Sequence, residues 1–117
     1  MVKPNPRSTD RVFRALADST RRKILFLVAR SDCTVAELAQ PFDISAPAVS
    51  RHLRILEEAG LLQRHRAGKH HRFHLIPHPL TAVRAALDKL TISWLHRLDA
   101  LGHLLAAEQT ATRRKTR

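Results

Sequence analysis

Ser50, Arg51 and Arg54 stand close together in a short segment with apolar residues at Val49, Leu53 and Leu56. Nine residues past Arg54 begins a basic run, Gln63-Arg-His-Arg-Ala-Gly-Lys-His-His-Arg-Phe-His74, with four Lys or Arg, four His and no acid. At 100° per residue the apolar three form one stripe, and Pro47, Ser50, Arg51, Arg54 and Glu58 fall on the opposite side. Guanidinium groups can bind guanine edges in pairs of hydrogen bonds, and a serine hydroxyl can reach a base or a phosphate. A helix and a positive two-stranded loop, joined by a tight corner at Ala59-Gly60, suit a polyanion with grooves. DNA is the leading candidate, with Ser45, Pro47, Ser50, Arg51 and Arg54 expected on it from the helix and Arg66, Lys69, His70 and Arg72 of the loop on phosphates or in a minor groove, fixing register more than sequence.

The bulk charge agrees. Lys and Arg number 21 against 10 acids, a formal +11 over 117 residues, which bears on partners and not on fold. Nucleic acid is favoured over an anionic membrane, because no isolated helix pairs a basic face with a bulky apolar one. No apolar run nears the ~20 residues needed to span a bilayer, and the N-terminal residues lack the apolar core of a secretory signal. A cytoplasmic, nucleoid-associated protein is expected. The lone Cys33 excludes an internal disulfide and a cysteine-cluster metal site. No nucleophile is paired with a base and there is no Gly-rich phosphate loop, so no enzyme and no cofactor are expected.

The elements that must position these residues follow from periodicity and caps. Residues 1–8, with Pro4 and Pro6, read as a flexible arm. A first helix directs Val12, Phe13, Leu16 and Ala17 inward. Asp18 caps a second helix over residues 20–29, with Ile24, Leu25, Leu27 and Val28 on its apolar side. Thr34 caps a brief third helix, with Glu37 placed for a capping box, and Pro41 ends it. The short link to the fourth helix, capped by Ser45, gives a helix-turn-helix layout. Two strands separated by Gly68 follow, and then a long helix over residues 79–107. Its apolar positions Leu80, Val83, Leu87, Leu90, Trp94, Leu98, Leu101 and Leu105 step by three or four. Residues 108–117 read as a disordered basic tail. The expected fold is mainly α with a small β-hairpin, in the order α-α-α-α-β-β-α, with residues 9–78 forming the DNA-binding domain.

Four runs at ordered spacings resemble the ArsR family of bacterial winged-helix repressors: Leu16-Ala-Asp-Ser-Thr-Arg-Arg-Lys-Ile-Leu25, Thr34-Val-Ala-Glu-Leu-Ala39, Ser45-Ala-Pro-Ala-Val-Ser-Arg-His-Leu53 and Leu56-Glu-Glu-Ala-Gly-Leu61. The resemblance spans residues 12–75. It implies a winged helix-turn-helix homodimer that represses transcription from a pseudo-palindromic operator, often its own, until a signal releases it. It also implies that His52 matches a position often used on DNA, although His52 lies nearer the buried stripe. Metal-sensing relatives carry cysteines where Thr34 and Ala36 stand here. The alternative metal site on the final helix corresponds to Pro77, Pro79, Leu90 and Ser93. Neither set supplies the three or four ligands zinc needs, so no metal is expected there.

Other residues carry weaker readings. The long helix has more apolar positions than one domain should cover, and its stepping favours pairing with a second copy. The expected dimer seam comprises Leu87, Leu90, Trp94, Leu98, Leu101 and Leu105 with Val12 and Leu16 of the first helix. Arg21, Arg22 and Lys23 open the second helix where the dipole disfavours cations, which calls for an acidic side chain or a phosphate beside them. Cys33 is a redox candidate, although a lone cysteine is more often an inert apolar filler. The adjacent His70 and His71 would point to opposite faces of a strand and do not converge on a metal. A low-specificity DNA-organising protein and a protein-interaction module are the competing function classes, and the residues name no effector.

Overall fold

Polar residues at the helix starts set most of the boundaries. The computed structural model describes residues 6–115, with side chains from 7 to 112. The elements are α1 (Pro6–Leu16), α2 (Ser19–Arg30), β1 (Cys33–Thr34), α3 (Val35–Ala39), α4 (Ala46–Glu58), β2 (Leu62–Ala67), β3 (His70–Leu75) and α5 (His78–Lys115). Asp18 caps α2 by accepting the Arg21 N–H at 3.0 Å, as expected. Thr34 caps α3 by accepting the Glu37 N–H, and its hydroxyl donates to the Glu37 carboxylate, both at 3.2 Å. Half of the expected capping box is therefore formed; the Glu37 carboxylate meets the threonine hydroxyl and not the backbone N–H of Thr34.

The C-terminus of α4 turns on a glycine. Gly60 has φ +78°, a conformation that disfavours a Cβ. Its N–H donates to the Glu57 carbonyl at 2.9 Å, and the Leu61 N–H donates to the Leu56 carbonyl at 3.0 Å. Those two bonds and the buried Leu56 and Leu61 make a Schellman cap. It aims the chain directly into β2, and the Ile76 N–H closes back on the Leu61 carbonyl at 2.8 Å.

The sheet has three strands, not the expected two. Its order is β1-β3-β2, antiparallel throughout, with Cys33 opposite Phe73 and Thr34 opposite Arg72. β2 and β3 pair from Leu62–Leu75 to Ala67–His70 across the Gly68-Lys69 turn. Phe73, fully buried, drives this face of the sheet onto a core that includes Val12 and Ala15 of α1, Ile24 and Val28 of α2, Leu38 of α3 and Val49, Leu53 and Leu56 of α4. Ala17, expected inward, is exposed, and Ala15 takes the buried place.

Two further boundaries differ from expectation. α1 already begins at Pro6, within the stretch read as an arm; proline's fixed φ suits the first helical position, where its missing N–H costs nothing. Residues 1–5 lie outside the described part. α5 continues through the stretch read as a disordered tail to Lys115. Ala106, Ala107, Glu108, Gln109 and Ala111 are good or tolerant helix formers, and the Thr110 and Thr112 hydroxyls donate to carbonyls four residues back at 2.9 Å. Residues 116–117 are outside the described part.

The chain divides after Val83 into two units. The first holds the core just described, including the buried Val83. The second is the helical stretch from Arg84 onward, and along it Leu87, Leu90, Trp94, Leu98, Leu101, Leu104 and Leu105 are all exposed.

Gly60→Ala is expected to destabilise the first unit by about 1 kcal/mol through the positive φ. A Cβ there would meet only Pro79 Cγ at an ordinary 3.6 Å. Gly102→Ala, in an open helical position, should instead raise helix stability by up to about 1 kcal/mol. Chemical denaturation followed by circular dichroism would distinguish the two signs.

Candidate nucleic-acid interface

The fourth helix presents its cations because its other side is fully used. Val49, Leu53 and Leu56 are buried, and Pro47, Ser50, Arg51 and Arg54 are exposed. The Ser45 hydroxyl accepts the Ala48 N–H at 3.3 Å, so this residue of the expected contact set starts the helix. Ser50, Arg51 and Arg54 make no side-chain hydrogen bond or ion pair among the described residues.

His52 belongs elsewhere. Its ring is partly buried, with Nδ1 3.3 Å from Arg21 Nη1 and 3.9 Å from the Asp18 carboxylate. The guanidinium can only donate, so in that bond Nδ1 accepts. The expected DNA contact is thus drawn into the junction of α2 and α4.

The arginines at the start of α2 are held by backbone carbonyls. Arg21 donates from Nε to the Ala15 carbonyl at 2.8 Å and from Nη2 to the Arg14 carbonyl at 2.9 Å. Arg22 donates to the Leu16 carbonyl at 2.7 Å. These are oxygens at the C-terminus of α1, where the helix dipole is negative; the Arg14 carbonyl also accepts the Ala17 N–H at 3.2 Å. The dipole conflict at α2 is therefore resolved by α1. The Arg21 N–H, more than any other influence, holds the Asp18 carboxyl below its ordinary value. Lys23 lies over the Phe42 ring, 5.6 Å from its centroid.

The hairpin separates into a tied base and a free tip. Arg64 pairs with Glu57 at 2.9 Å and covers the Phe73 ring. Arg72 donates to the Asp32 carbonyl at 3.3 Å and approaches Glu37 at 3.5 Å, so this expected DNA contact is engaged within the chain. His65 Nε2 and His74 Nδ1 lie 2.9 and 3.1 Å from opposite oxygens of the Asp32 carboxylate. These bonds, that of His74 first, hold the Asp32 carboxyl below its ordinary value. Arg66, Lys69 and His70 are exposed with no partner among the described residues. Sequence reasoning missed Asp32, whose partners lie 33 and 42 positions along the chain; no local signal announces such a contact.

The remaining candidates have plain surroundings. Cys33 is buried, and desolvation leads the influences that push its thiol upward; a thiol held protonated is a poor nucleophile. Among the described residues no group of three or more His, Cys, Asp or Glu is arranged to hold a metal ion. Val12, expected at a dimer seam, is only 2% exposed within its own core and has no surface left for a second copy. Leu16 is half-buried. Leu90 and Trp94 are 69% and 59% exposed. Leu104, 63% exposed, falls on the same stripe and was missed by the stepping of three and four. Among the described residues no helix is long and apolar enough to cross a membrane.

Comparison with known proteins adds an independent line. The model of the family described as bacterial regulatory protein, arsR family, matches residues 18–64. The chain is 39% identical over 102 residues to the HTH-type transcriptional regulator Rv2034 of Mycobacterium tuberculosis, covering 87% of this chain and 92% of that protein. It is 47% identical over 58 residues to the transcriptional repressor SdpR of Bacillus subtilis, covering 50% of this chain and 64% of the relative. Among solved structures, an ArsR-like transcriptional regulator from Rhodococcus sp. RHA1 superposes with a TM-score of 0.74 at 28% identity, over 86% of this chain and 92% of that one.

Arg21→Met should cost about 1–3 kcal/mol, because it leaves carbonyls of α1 without their charged donor. Arg51→Met, on the exposed face of α4, should change stability by less than about 0.5 kcal/mol. Urea unfolding of both variants measures the contrast, and equal losses would contradict the structural role given to Arg21.

Proposed function

Because the chain belongs to the ArsR family of bacterial regulatory proteins, we propose that it is a homodimeric DNA-binding repressor in which α4 reads the major groove and the hairpin tip grips phosphates. One observation carries this reading. The basic side chains at the start of α2 and at the base of the hairpin are engaged inside the chain, whereas Ser50, Arg51 and Arg54 of α4 and Arg66, Lys69 and His70 of the tip are not. Arg51 and Arg54 on one helix face and Arg66 and Lys69 at one loop tip suit a duplex, with its grooves between two lines of phosphate.

The division of labour follows from chemistry. Arg51 and Arg54 can each present a fork of N–H donors to a guanine edge, and Ser50 can donate or accept. Lys69 and Arg66 act on phosphates, which position the protein without reading sequence. Pairing of two copies through the exposed apolar stripe of α5 would match a pseudo-palindromic operator, whose half-sites recur about 34 Å apart along the duplex. A repressor of this kind acts by occupancy. The name of the related SdpR supports repression as the sign of regulation.

Arg51→Ala or Arg54→Ala is expected to cost about 1–3 kcal/mol on the operator and to relax base preference, whereas Lys69→Ala weakens all duplexes alike and lowers the salt slope by about one unit. The operator fragment would come from selection out of fragmented genomic DNA. Equal losses on operator and random duplex for both classes would contradict this reading.

Trp94→Glu, placing a charge in the exposed stripe, should convert the dimer to monomer in sedimentation and weaken operator binding by at least about tenfold without altering any DNA-facing residue. A Trp94→Glu protein that remains dimeric would remove this stripe from the interface.

A further inference from the structure

The outer face of the sheet, away from Phe73, carries a cluster that plays no part in the DNA contacts proposed above. Asp32 leads into β1, and its carboxylate bridges both hairpin strands, to His65 of β2 at 2.9 Å and to His74 of β3 at 3.1 Å. The charged and titratable groups around it are those two rings, Arg72 of β3, Glu37 of α3 and the buried thiol of Cys33. Arg72 and Glu37 offset each other. Of the rest, Asp32 carries one negative charge, and each ring is neutral or positive according to pH.

The hydrogen bonds themselves survive titration. A neutral His65 can donate from Nε2–H and a neutral His74 from Nδ1–H, each ring taking the tautomer its bond selects. A proton added to either ring enters at the other nitrogen, so the hairpin keeps its anchor and only its charge changes. Imidazole is the side chain suited to such a change of charge under mild acidification. With both rings neutral the Asp32–His65–His74 cluster carries net −1, and with both protonated it carries net +1. Both rings are exposed; His65 precedes Arg66 in β2, with its side chain on the opposite face of the sheet, and a charge there acts on the proposed phosphate site through the field, not by contact.

We propose that this cluster is a proton-operated charge switch that tightens the grip of the wing on DNA as the surroundings acidify. The inference rests on the DNA-binding reading and adds its regulation. The wing need not move: the switch works by changing the sign of the potential beside a fixed phosphate site.

The test uses the full chain and a fluorescein-labelled duplex of mixed sequence, titrated by anisotropy at several salt concentrations near pH 8 and near pH 5.5. Wild type should bind about tenfold tighter at the lower pH, with a salt slope steeper by roughly one to two units per protomer. H65Q/H74Q keeps an N–H donor toward Asp32 at both positions and cannot charge. It should match wild type near pH 8 and lose that increment near pH 5.5. His70 and His71 are present in both proteins, so the difference between them isolates the pair. Asp32→Asn removes a negative charge and should bind about threefold tighter than wild type near pH 8 while keeping its pH response; this arm decides the matter if H65Q/H74Q fails to fold. An H65Q/H74Q protein with the full wild-type increment overturns the switch and leaves the DNA-binding reading standing. An Asp32→Asn protein weaker at both pH values overturns it as well, since the carboxylate would then serve only to anchor the hairpin. No duplex binding by wild type at either pH in low salt overturns the DNA-binding reading, and the switch with it.

Discussion

Arg21 holds the reading helix in place. Its guanidinium lies among the last carbonyls of α1, its backbone N–H is capped by Asp18, and its remaining edge meets His52 of α4. One residue therefore donates to the last carbonyls of one helix, takes part in the cap of a second and fixes the rotation of a third about its axis. With His52 drawn inward and Val49, Leu53 and Leu56 in the core, the opposite side of α4 has no choice but to face out. Ser50, Arg51 and Arg54 are exposed because of what the other face is bound to.

The same economy governs the rest of the excess charge. A cation held by a carbonyl or a carboxylate of its own chain contributes less field and no free donors to a distant phosphate. Arg22, Arg64 and Arg72 are spent in this way, on Leu16, Glu57 and the Asp32–Glu37 side of the sheet. Arg51 and Arg54 of α4 and Arg66 and Lys69 of the hairpin tip stay unengaged among the described residues, as do Arg11 of α1, Arg30 of α2 and Arg97 of α5. Net charge alone would have suggested a diffuse attraction to any polyanion; its internal distribution supports a directed one.

Much of this fold was legible in the residues. The caps Asp18, Thr34 and Ser45, the corner at Gly60 and the apolar stripe of α4 are signals read within a few positions. β1 was not legible, because two residues make a strand only when a partner 40 positions away, Phe73, lies alongside Cys33. The partners of Arg21 and Arg22 were hidden for a different reason: they are backbone oxygens, which every residue carries and no letter marks. His52 and Arg72 carry the right chemistry for DNA, and their diversion into the fold depends on Asp18, Arg21, Asp32 and Glu37 arriving from elsewhere. The tail beyond Ala107 looked irregular because it lacks apolar stepping, yet a helix already formed extends at low cost through Ala, Glu and Gln.

The exposed stripe of α5 bears on how such a small protein could discriminate among sequences. Leu87, Leu90, Trp94, Leu98, Leu101, Leu104 and Leu105 occupy an arc of about 120° at 100° per residue, a contiguous apolar surface that water disfavours at roughly 25 cal/mol per Å². Mutual burial in a second copy removes that surface and yields a proposed dimer with two α4 faces. In the proposed reading a single protomer has three side chains for bases, too few to stand far above an unspecific attraction to phosphate. Once one half of a dimer is bound, the other half searches at the high effective concentration set by the link between them, so the second half-site adds affinity without new kinds of contact. In the proposed dimer specificity would come from repetition, which makes the apolar stripe of α5 as necessary to recognition as the arginines of α4.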